Sequence, residues 1–420
     1  MTPIENARSI FHHALTSSSI PAAFDRKVHL PSMGLEQYER IYAVAVGKAA
    51  LPMLETLRAR LPYPLAGGIC CAPVLPVKRI PGVAYYTGGH PLPNEDSFAS
   101  AQATLQLLQG TTARDFVFFL ISGGGSAMFE LPLDERISLE ETRHLYQALV
   151  GSGGTIAEIN AVRKHFSAVK GGRLAAAAGN AARFSLLLAD VAPRYLDALS
   201  SGLTLQDTST VAECREVIER YHLWPRFSPA VRAFFEGPQL EETPTLDGSS
   251  PVETLLSSDD LVDSAREMAL RLGYEVVIDN SCDDWDYLDA ARHLLGRFAE
   301  LEPKCGKLCL LSAGEVTVRL GHEHGAGGRN QQFALACALE LPRPMVVLSA
   351  GSDGIDGNSP AAGAVADATT AARSKALGID PAASLARFDA YPLFAALGDA
   401  LVTGPTHNNL RDLRIMLSAT

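Results

Sequence analysis

The sequence predicts an α/β protein of two domains. Short apolar runs end in glycine or polar residues and are followed by segments of helical period, and the unit recurs in both halves of the 420-residue chain. Strands that alternate with helices in this way build sheets covered on both faces. Between the halves, from Tyr221 to Pro251, the pattern is irregular and carries prolines at 225, 229, 238, 244 and 251. Domains are therefore expected at residues 1–235 and 250–420, with a third left open by the length.

The first half opens with an amphipathic helix over residues 5–15, whose core side carries Ile10, Phe11 and Leu15. Ile41–Val46 reads as a strand, Gly47-Lys48-Ala49-Ala50 as a turn, and Met53, Leu54 and Leu57 as the buried side of a helix. Lys48 stands where the helix dipole disfavours a cation, which makes it a candidate for neutralising an anionic ligand. The turn is not a Walker loop, because Ala43 replaces the earlier glycine and Ala49 the Ser or Thr of that pattern. Strands over 67–72 and 83–86 follow, the second leading into Thr87-Gly-Gly-His90-Pro-Leu-Pro93, a tight loop with His90 as a candidate pocket residue.

After a helix near 97–109, Asp115-Phe-Val-Phe-Phe-Leu-Ile121 is apolar without alternation, as in a strand buried on both faces. It runs into Ser122, Gly123, Gly124, Gly125 and Ser126. Glycines that accept positive φ, flanked by hydroxyls, suit a phosphate. Ser138-Leu-Glu-Glu141 is a capping box that starts a helix to about Val150. The next helix, Thr155 to Val169, has an apolar stripe of Ile156, Ile159, Val162, Phe166 and Val169, with Asn160, Lys164 and Ser167 on another face. Arg163 and Lys170 add cations, and the glycines at 151, 153 and 154 suggest an anion at the N-terminus, so this polar face is expected to meet ligand. A strand over 184–189 ends in Asp190.

The second half alternates again: helix 258–272, strand 274–278, helix 287–301, and strand 307–311 ending in Ser312-Ala-Gly-Glu315. A strand over 316–320, a glycine-rich loop carrying Arg329, a helix over 333–339 and a strand over 345–350 come next. The last of these ends in Gly351-Ser-Asp353-Gly-Ile-Asp356-Gly357, and a further strand and polar loop occupy 401–409. His322 and His324 with Glu315 make a weak metal set without a third ligand at a diagnostic spacing. The Asp353 loop lacks the closing Glu of an EF-hand.

The whole chain excludes several classes. A formal charge of -11 opposes nucleic-acid binding, which rests on phosphate neutralisation by Lys and Arg. No apolar run approaches the roughly 20 residues of a membrane span, and the first residues lack a secretory pattern, which points to the cytoplasm. Seven cysteines, an odd number without paired metal spacing, are expected to be reduced core residues.

In open α/β sheets ligands bind beyond the carboxyl ends of strands. Here those ends carry Lys48, Ser122 to Ser126, Asp190, Glu315, Asp353 and Asp356, with Arg329 on its loop. Cations and glycine amides hold oxyanions, while carboxylates hold Mg²⁺ or accept a hydroxyl proton. Phosphoryl transfer uses all three, because it depends on positioning and on neutralising spread negative charge.

These residues carry a resemblance. Gly47-Lys48-Ala-Ala50, Gly89-His-Pro91, Ile121-Ser-Gly-Gly-Gly-Ser-Ala127, Glu158-Ile-Asn160, Arg163-Lys-His165, Lys170-Gly-Gly-Arg173, Gly314-Glu-Val-Thr-Val318, Gly327-Gly-Arg-Asn-Gln331 and Asp353-Gly-Ile-Asp-Gly357 resemble the glycerate 2-kinase family, whose C-terminal part is the MOFRL domain and whose members are often labelled hydroxypyruvate reductases. The resemblance implies two Rossmann-like α/β domains with an interdomain cleft, ATP and Mg²⁺ as cofactors, and phosphorylation of the 2-hydroxyl of D-glycerate. It makes Lys48 and Arg329 central to catalysis. Ser122 to Ser126 and Lys164 would hold the nucleotide, Asn160, Glu315 and His90 the substrate, and Asp190 and Asp353 the metal or the hydroxyl proton. Small molecules are the expected partners, and a homodimer is left open.

The chain departs from the family pattern around Asp190. Ala189-Asp-Val191, Pro193-Arg194 and Ser201-Gly-Leu-Thr204 stand where Ser-Asp-Val, Gly-Asp and Ser-Gly-Pro-Thr are usual. Ser352 replaces Thr, and His407 and Asn408 replace Gly and Thr. The acceptor is thereby left open between D-glycerate and a larger or more anionic sugar acid. A nicotinamide-dependent reductase would need a complete G-x-G-x-x-G after a strand, which is missing. A binding protein that kept the fold and lost turnover is the non-catalytic alternative.

Overall fold

The computed structural model describes residues 2–191, 193–248, 251–302, 306–321, 323–341, 344–406 and 408–419. His322, His407, Cys305 and the side chain of Arg194 lie outside the described residues. The chain divides into two compact units, Phe24–Leu255 and Met1–Ala23 with Leu256–Thr420.

The first unit is built on strands β1 (Arg40–Val46), β2 (Gly67–Ala72), β3 (Val83–Thr87), β4 (Asp115–Ser122), β5 (Ala182–Leu188) and β6 (Val252–Leu256). They lie in the order β3-β2-β1-β4-β5-β6, with β1 to β5 all parallel. This is the order of doubly wound nucleotide-binding sheets, and the chain changes direction between β1 and β4. All eight residues of β4 are buried. Phe119, Val117 and Ile121 pack with Val44, Leu108 and Leu174 into one core, while the helix Ala50–Arg60 packs on β1, β2 and β4. The helices Leu139–Val150, Ile156–Phe166, Val211–Arg220 and Pro229–Glu236 share a separate core in which Phe166, Phe227, Phe234 and Phe235 stack or meet edge to face.

The second unit holds β7 (Glu275–Ile278), β8 (Leu308–Ala313), β9 (Met345–Gly351), β10 (Gly363–Asp367), β11 (Ala400–Leu401) and β12 (Asp412–Ser418). Their order is β11-β10-β9-β12-β8-β7. Only β7 and β8 pair in parallel, while β12 runs antiparallel between β8 and β9, and β10 antiparallel to β9 and β11. The second unit is α/β as expected, with a mixed rather than an all-parallel sheet. The cause is local: residues 352–362 form a polar loop, and without a crossover helix a strand returns antiparallel.

Two further expectations change. The N-terminal helix, Pro3–Ser17, does not join the first unit; Ile10, Phe11 and Ala14 are buried in a helix that packs on Ser258–Arg271, β9 and β12, and Asn6 Nδ2 donates to Tyr274 Oη at 3.0 Å. The strand expected over 316–320 reduces to one bridge between Asp286 and Thr317. Val316 is buried, but the backbone pairs only with Trp285 and Tyr287, so no ladder forms. The six described cysteines are unpaired and buried.

Phe119→Ala should lower unfolding stability of the first unit by about 3–5 kcal/mol, since it opens a cavity beneath the central strand. Urea titration followed by near-ultraviolet circular dichroism reads this directly, with little change in the transition of the second unit.

Candidate active site

At the carboxyl ends of β1 and β4 two backbones come together. Lys48 N donates to Gly123 O at 2.8 Å and Ala49 N to Ser122 Oγ at 2.9 Å. The helix behind them begins at Ala50, so Lys48 lies in the turn before it, exposed. Gly124 has φ +85°, and a Cβ there would lie 3.2 Å from Lys48 Cγ and 3.4 Å from His90 Cδ2. Both predicted side chains thus flank the triple-glycine turn. A Cβ on Gly123 would stand 1.7 Å from Asp190 Oδ2, so the carboxylate at the end of β5 lies directly over the turn. Partial burial, then the Lys48 ammonium, holds the His90 imidazole below its ordinary value.

The turn is locked from behind by residues for which the sequence suggests no such role. Ser200 Oγ donates to Ser122 O at 2.7 Å, and Ser126 Oγ and Ser201 Oγ are 2.8 Å apart. Ser200 and Ser201 both adopt left-handed φ, 49° and 56°, a strained conformation for serine that the surrounding bonds must hold. Deeper still, Lys170 Nζ meets Glu130 Oε2 at 2.5 Å in full burial, with Tyr146 Oη against the same carboxylate and 2.8 Å from Ser126 O. The Arg163 guanidinium lies 4.4 Å from the Tyr146 ring centre. Burial draws the Lys170 ammonium below its ordinary value and raises the Tyr146 phenol.

Asn160 and Lys164 lie on the helix Ile156–Phe166 and are buried, with Arg163 and Lys170, so this polar face packs inside the unit. The expected anion site at the helix N-terminus is closed as well. Thr155 N donates to Glu158 Oε2 at 2.8 Å and Thr155 Oγ1 accepts from Glu158 N at 3.3 Å. The helix offers its middle instead. Ser201 Oγ donates to Asn160 Oδ1 at 2.9 Å, while Asn160 Nδ2 is buried without a partner. Lys164 Nζ contacts Asp207 Oδ1 at 3.0 Å and Asp197 Oδ2 at 3.3 Å. Burial works to raise the Asp207 carboxyl, yet the Ser209 amide and Lys164 hold it below its ordinary range. Asn160 and Lys164 line a cavity of about 350 Å³ with Tyr195, Asp197 and Arg220.

In the second unit Arg329 is the first residue of the helix Arg329–Glu340. Its Nε donates to Asp412 Oδ2 at 2.6 Å, its Nη2 to Asp412 Oδ1 at 3.0 Å, and Nη2 lies 2.8 Å from Glu315 Oε1. Burial opposes the charge, but the two carboxylates raise the guanidinium further. Burial and then Asp412 push the Glu315 carboxyl up. Asp356 takes the place of a cap: it accepts from the amides of Asn330 and Gln331 at 3.1 and 2.9 Å, and burial lifts it to about 6. Asp353 sits in the same loop, its Oδ1 accepting from Ile355 N at 3.1 Å. Arg329, Asp353, Asp356 and Gln332 line a cavity of about 490 Å³.

The predicted residues thus gather in two groups, Lys48, His90, Ser122 to Ser126, Asp190, Asn160 and Lys164 in the first unit, and Glu315, Arg329 and Asp353 in the second. Asp412, which anchors Arg329, was missed because its strand was missed.

Two family models match the chain, one described as a domain of unknown function, DUF4147, over residues 6–236 and the MOFRL family over 308–412. A D-glycerate 2-kinase of Thermotoga maritima is 36% identical over 418 residues, covering 96% of each chain. The chain belongs to the glycerate 2-kinase family. A glycerate 2-kinase of Pyrococcus horikoshii is 31% identical, covering 94% of this chain and 90% of its own. The crystal structure of the Thermotoga maritima glycerate kinase matches with a TM-score of 0.90 at 34% identity over 99% of each chain. The match over 6–236 contains Lys48, the triple-glycine turn and Asp190, and the MOFRL match contains Glu315, Arg329, Asp353 and Asp412.

The contact between Lys48 and His90 has a measurable sign. In an NMR titration His90 should change charge below pH ~6.5, the ordinary histidine value, and Lys48→Met should move the midpoint upward. An unchanged midpoint in the variant would place the lysine away from the imidazole.

Proposed function

We propose that this protein transfers the γ-phosphoryl group of ATP to the 2-hydroxyl of D-glycerate or a closely related sugar acid. The observation that carries the reading is the assembly at the ends of β1, β4 and β5, with Lys48 beside Gly124 and the Asp190 carboxylate over Gly123. A cation, glycine amides and a carboxylate meet there at the switch point of the sheet, where such folds bind phosphate-bearing ligands. Relatives named D-glycerate 2-kinase and glycerate 2-kinase supply the reaction and the acceptor.

In this reading Ser122 to Ser126 cradle the nucleotide phosphates, and Lys48 neutralises the phosphoryl group in transfer. Arg329, held by Asp412 and Glu315, meets negative charge on the phosphoryl group or the substrate carboxylate. Asn160, with its unpartnered amide, and Lys164, Glu315 and His90 orient substrates. Asp353, on the Arg329 cavity, accepts the hydroxyl proton. Among the described residues no three His, Cys, Asp or Glu side chains form a ready-made metal cage. The Asp190 carboxylate over the glycine turn fits Mg²⁺, which is commonly held by one or two carboxylates with substrate phosphates and water. Asp190 would hold it. Bound there, Mg²⁺ would neutralise phosphate oxygens. A nicotinamide reductase would require a dinucleotide fingerprint after β1, where the chain has Gly47-Lys48-Ala49-Ala50.

The test is purified protein with Mg-ATP and a panel of D-glycerate, hydroxypyruvate and longer aldonates, following ADP release and, separately, NADH loss. Glycerate-dependent ADP release supports the reading; NADH consumption with hydroxypyruvate and no ADP overturns it. In the same assay Lys48→Ala and Arg329→Ala should each lower kcat by at least about 10²-fold, with circular dichroism unchanged. Activity near that of the unaltered protein in either variant removes that residue from the machinery.

A further inference from the structure

Arg414 is a fully buried cation in the middle of the mixed sheet, and nothing in the reading above uses it. It lies on β12, paired in register with Ser312 of β8 and Ser349 of β9. Its Nη2 donates to Gly314 O at 3.1 Å and reaches Ser312 Oγ at 3.4 Å, while Nε and Nη1 are buried without partners. No carboxylate bonds to it among the described contacts. A buried charge so incompletely matched is costly, and replacing such groups with apolar side chains is often neutral or stabilising. Its presence is therefore poorly explained by stability.

Its position explains it better. Asp412 and Arg414 are two apart on one strand and face the same side of the sheet. Arg329 and Phe333 are one turn apart on the helix opposite. Asp412 grips Arg329, and the Arg414 guanidinium stands 5.6 Å from the Phe333 ring centre. The Gly314 carbonyl that Arg414 holds belongs to a bend with φ +108°, where a Cβ would come within 2.7 Å of Asp283 Oδ1. The next residue is Glu315, whose carboxylate pairs with Arg329. Arg411, with φ 70°, clamps Asp283 at 2.6 and 2.7 Å, and Asp283 accepts from Glu315 N at 3.1 Å.

We propose that Arg414 is a positioning residue for the Arg329 site, fixing through the Gly314 carbonyl the bend that presents Glu315 and offsetting with its buried charge the Asp412 carboxylate beneath Arg329. The role in turnover rests on the phosphoryl-transfer reading; the role in geometry does not.

Arg414→Met keeps length and removes charge and donors, Arg414→Gln keeps a donor, and Arg414→Lys keeps charge and a donor. The expected result for Arg414→Met is a Tm close to that of the unaltered protein, kcat lowered about tenfold or more, KM changed less than about threefold, and substantial rescue by Arg414→Lys. A kcat loss below about fivefold in folded Arg414→Met overturns the proposal, as does a loss that simply follows a fall in Tm. If Arg414→Met does not fold, Arg414→Gln decides by the same thresholds. A crystal structure of the folded variant gives a readout independent of substrate. The Arg329–Glu315 pair, at 2.8 Å here, should open. An intact pair overturns the geometric claim, whereas an inactive unaltered protein in the glycerate assay would instead overturn the functional reading.

Discussion

Gly47 passes so close to β4 that a methyl group there would sit 2.4 Å from Ser122 O and 2.8 Å from Gly123 O. This approach of two backbones governs the first site. Because the chains touch, Lys48 N reaches Gly123 O and Ala49 N reaches Ser122 Oγ, so the turn after β1 and the turn after β4 become one rigid piece. Asp190 is added from β5 because Gly123 has no side chain to exclude it. Glycine here is a steric requirement, and at Gly47 and Gly124, with φ of +111° and +85°, a conformational one as well.

The polar scaffold behind that turn is built on buried ions. Glu130 and Lys170 are both fully buried, and Tyr146 ties them to the Ser126 carbonyl. Removing one member of such a pair typically costs about 3–5 kcal/mol, although the pair as a whole adds little over a well-packed apolar replacement. Its evident consequence is geometric: it fixes the short helix Gly125–Met128 and through it the end of β4. The second unit repeats the device with different residues. Arg329, Arg411 and Arg414 interleave with Asp412, Asp283, Glu315 and Asp356, so that each charged group limits where its neighbours can stand.

The sequence revealed the first unit more completely than the second, and the reasons are physical. The unbroken apolar run of Phe116–Ile121 could only be a strand covered on both faces, and the glycines after it announced a close approach. Lys48, Asp190 and the glycine turn were visible because strand ends are where side chains leave the core. In contrast, Gly363–Asp367 is made of small residues with weak strand preference, and Asp412–Ser418 hides its burial behind Asp412 and Arg414, which look like surface charges. Losing β12 meant losing Asp412. The polar face of the helix Ile156–Phe166 was visible, but the burial of its cations was not, since only tertiary partners such as Asp207 and Tyr146 make it tolerable. Ser200 and Ser201 carry no local signal beyond the Ser-Gly pair, because their role comes from backbone strain that sequence does not display.

The central claim is that the fused β1 and β4 turns form the phosphate site. A crystal structure with a non-hydrolysable ATP analogue and D-glycerate tests it most directly. The account requires the polyphosphate to lie against the amides of Gly123 to Gly125 with Lys48 Nζ and Asp190 at its oxygens. A nucleotide bound elsewhere, with that turn unoccupied, would contradict it.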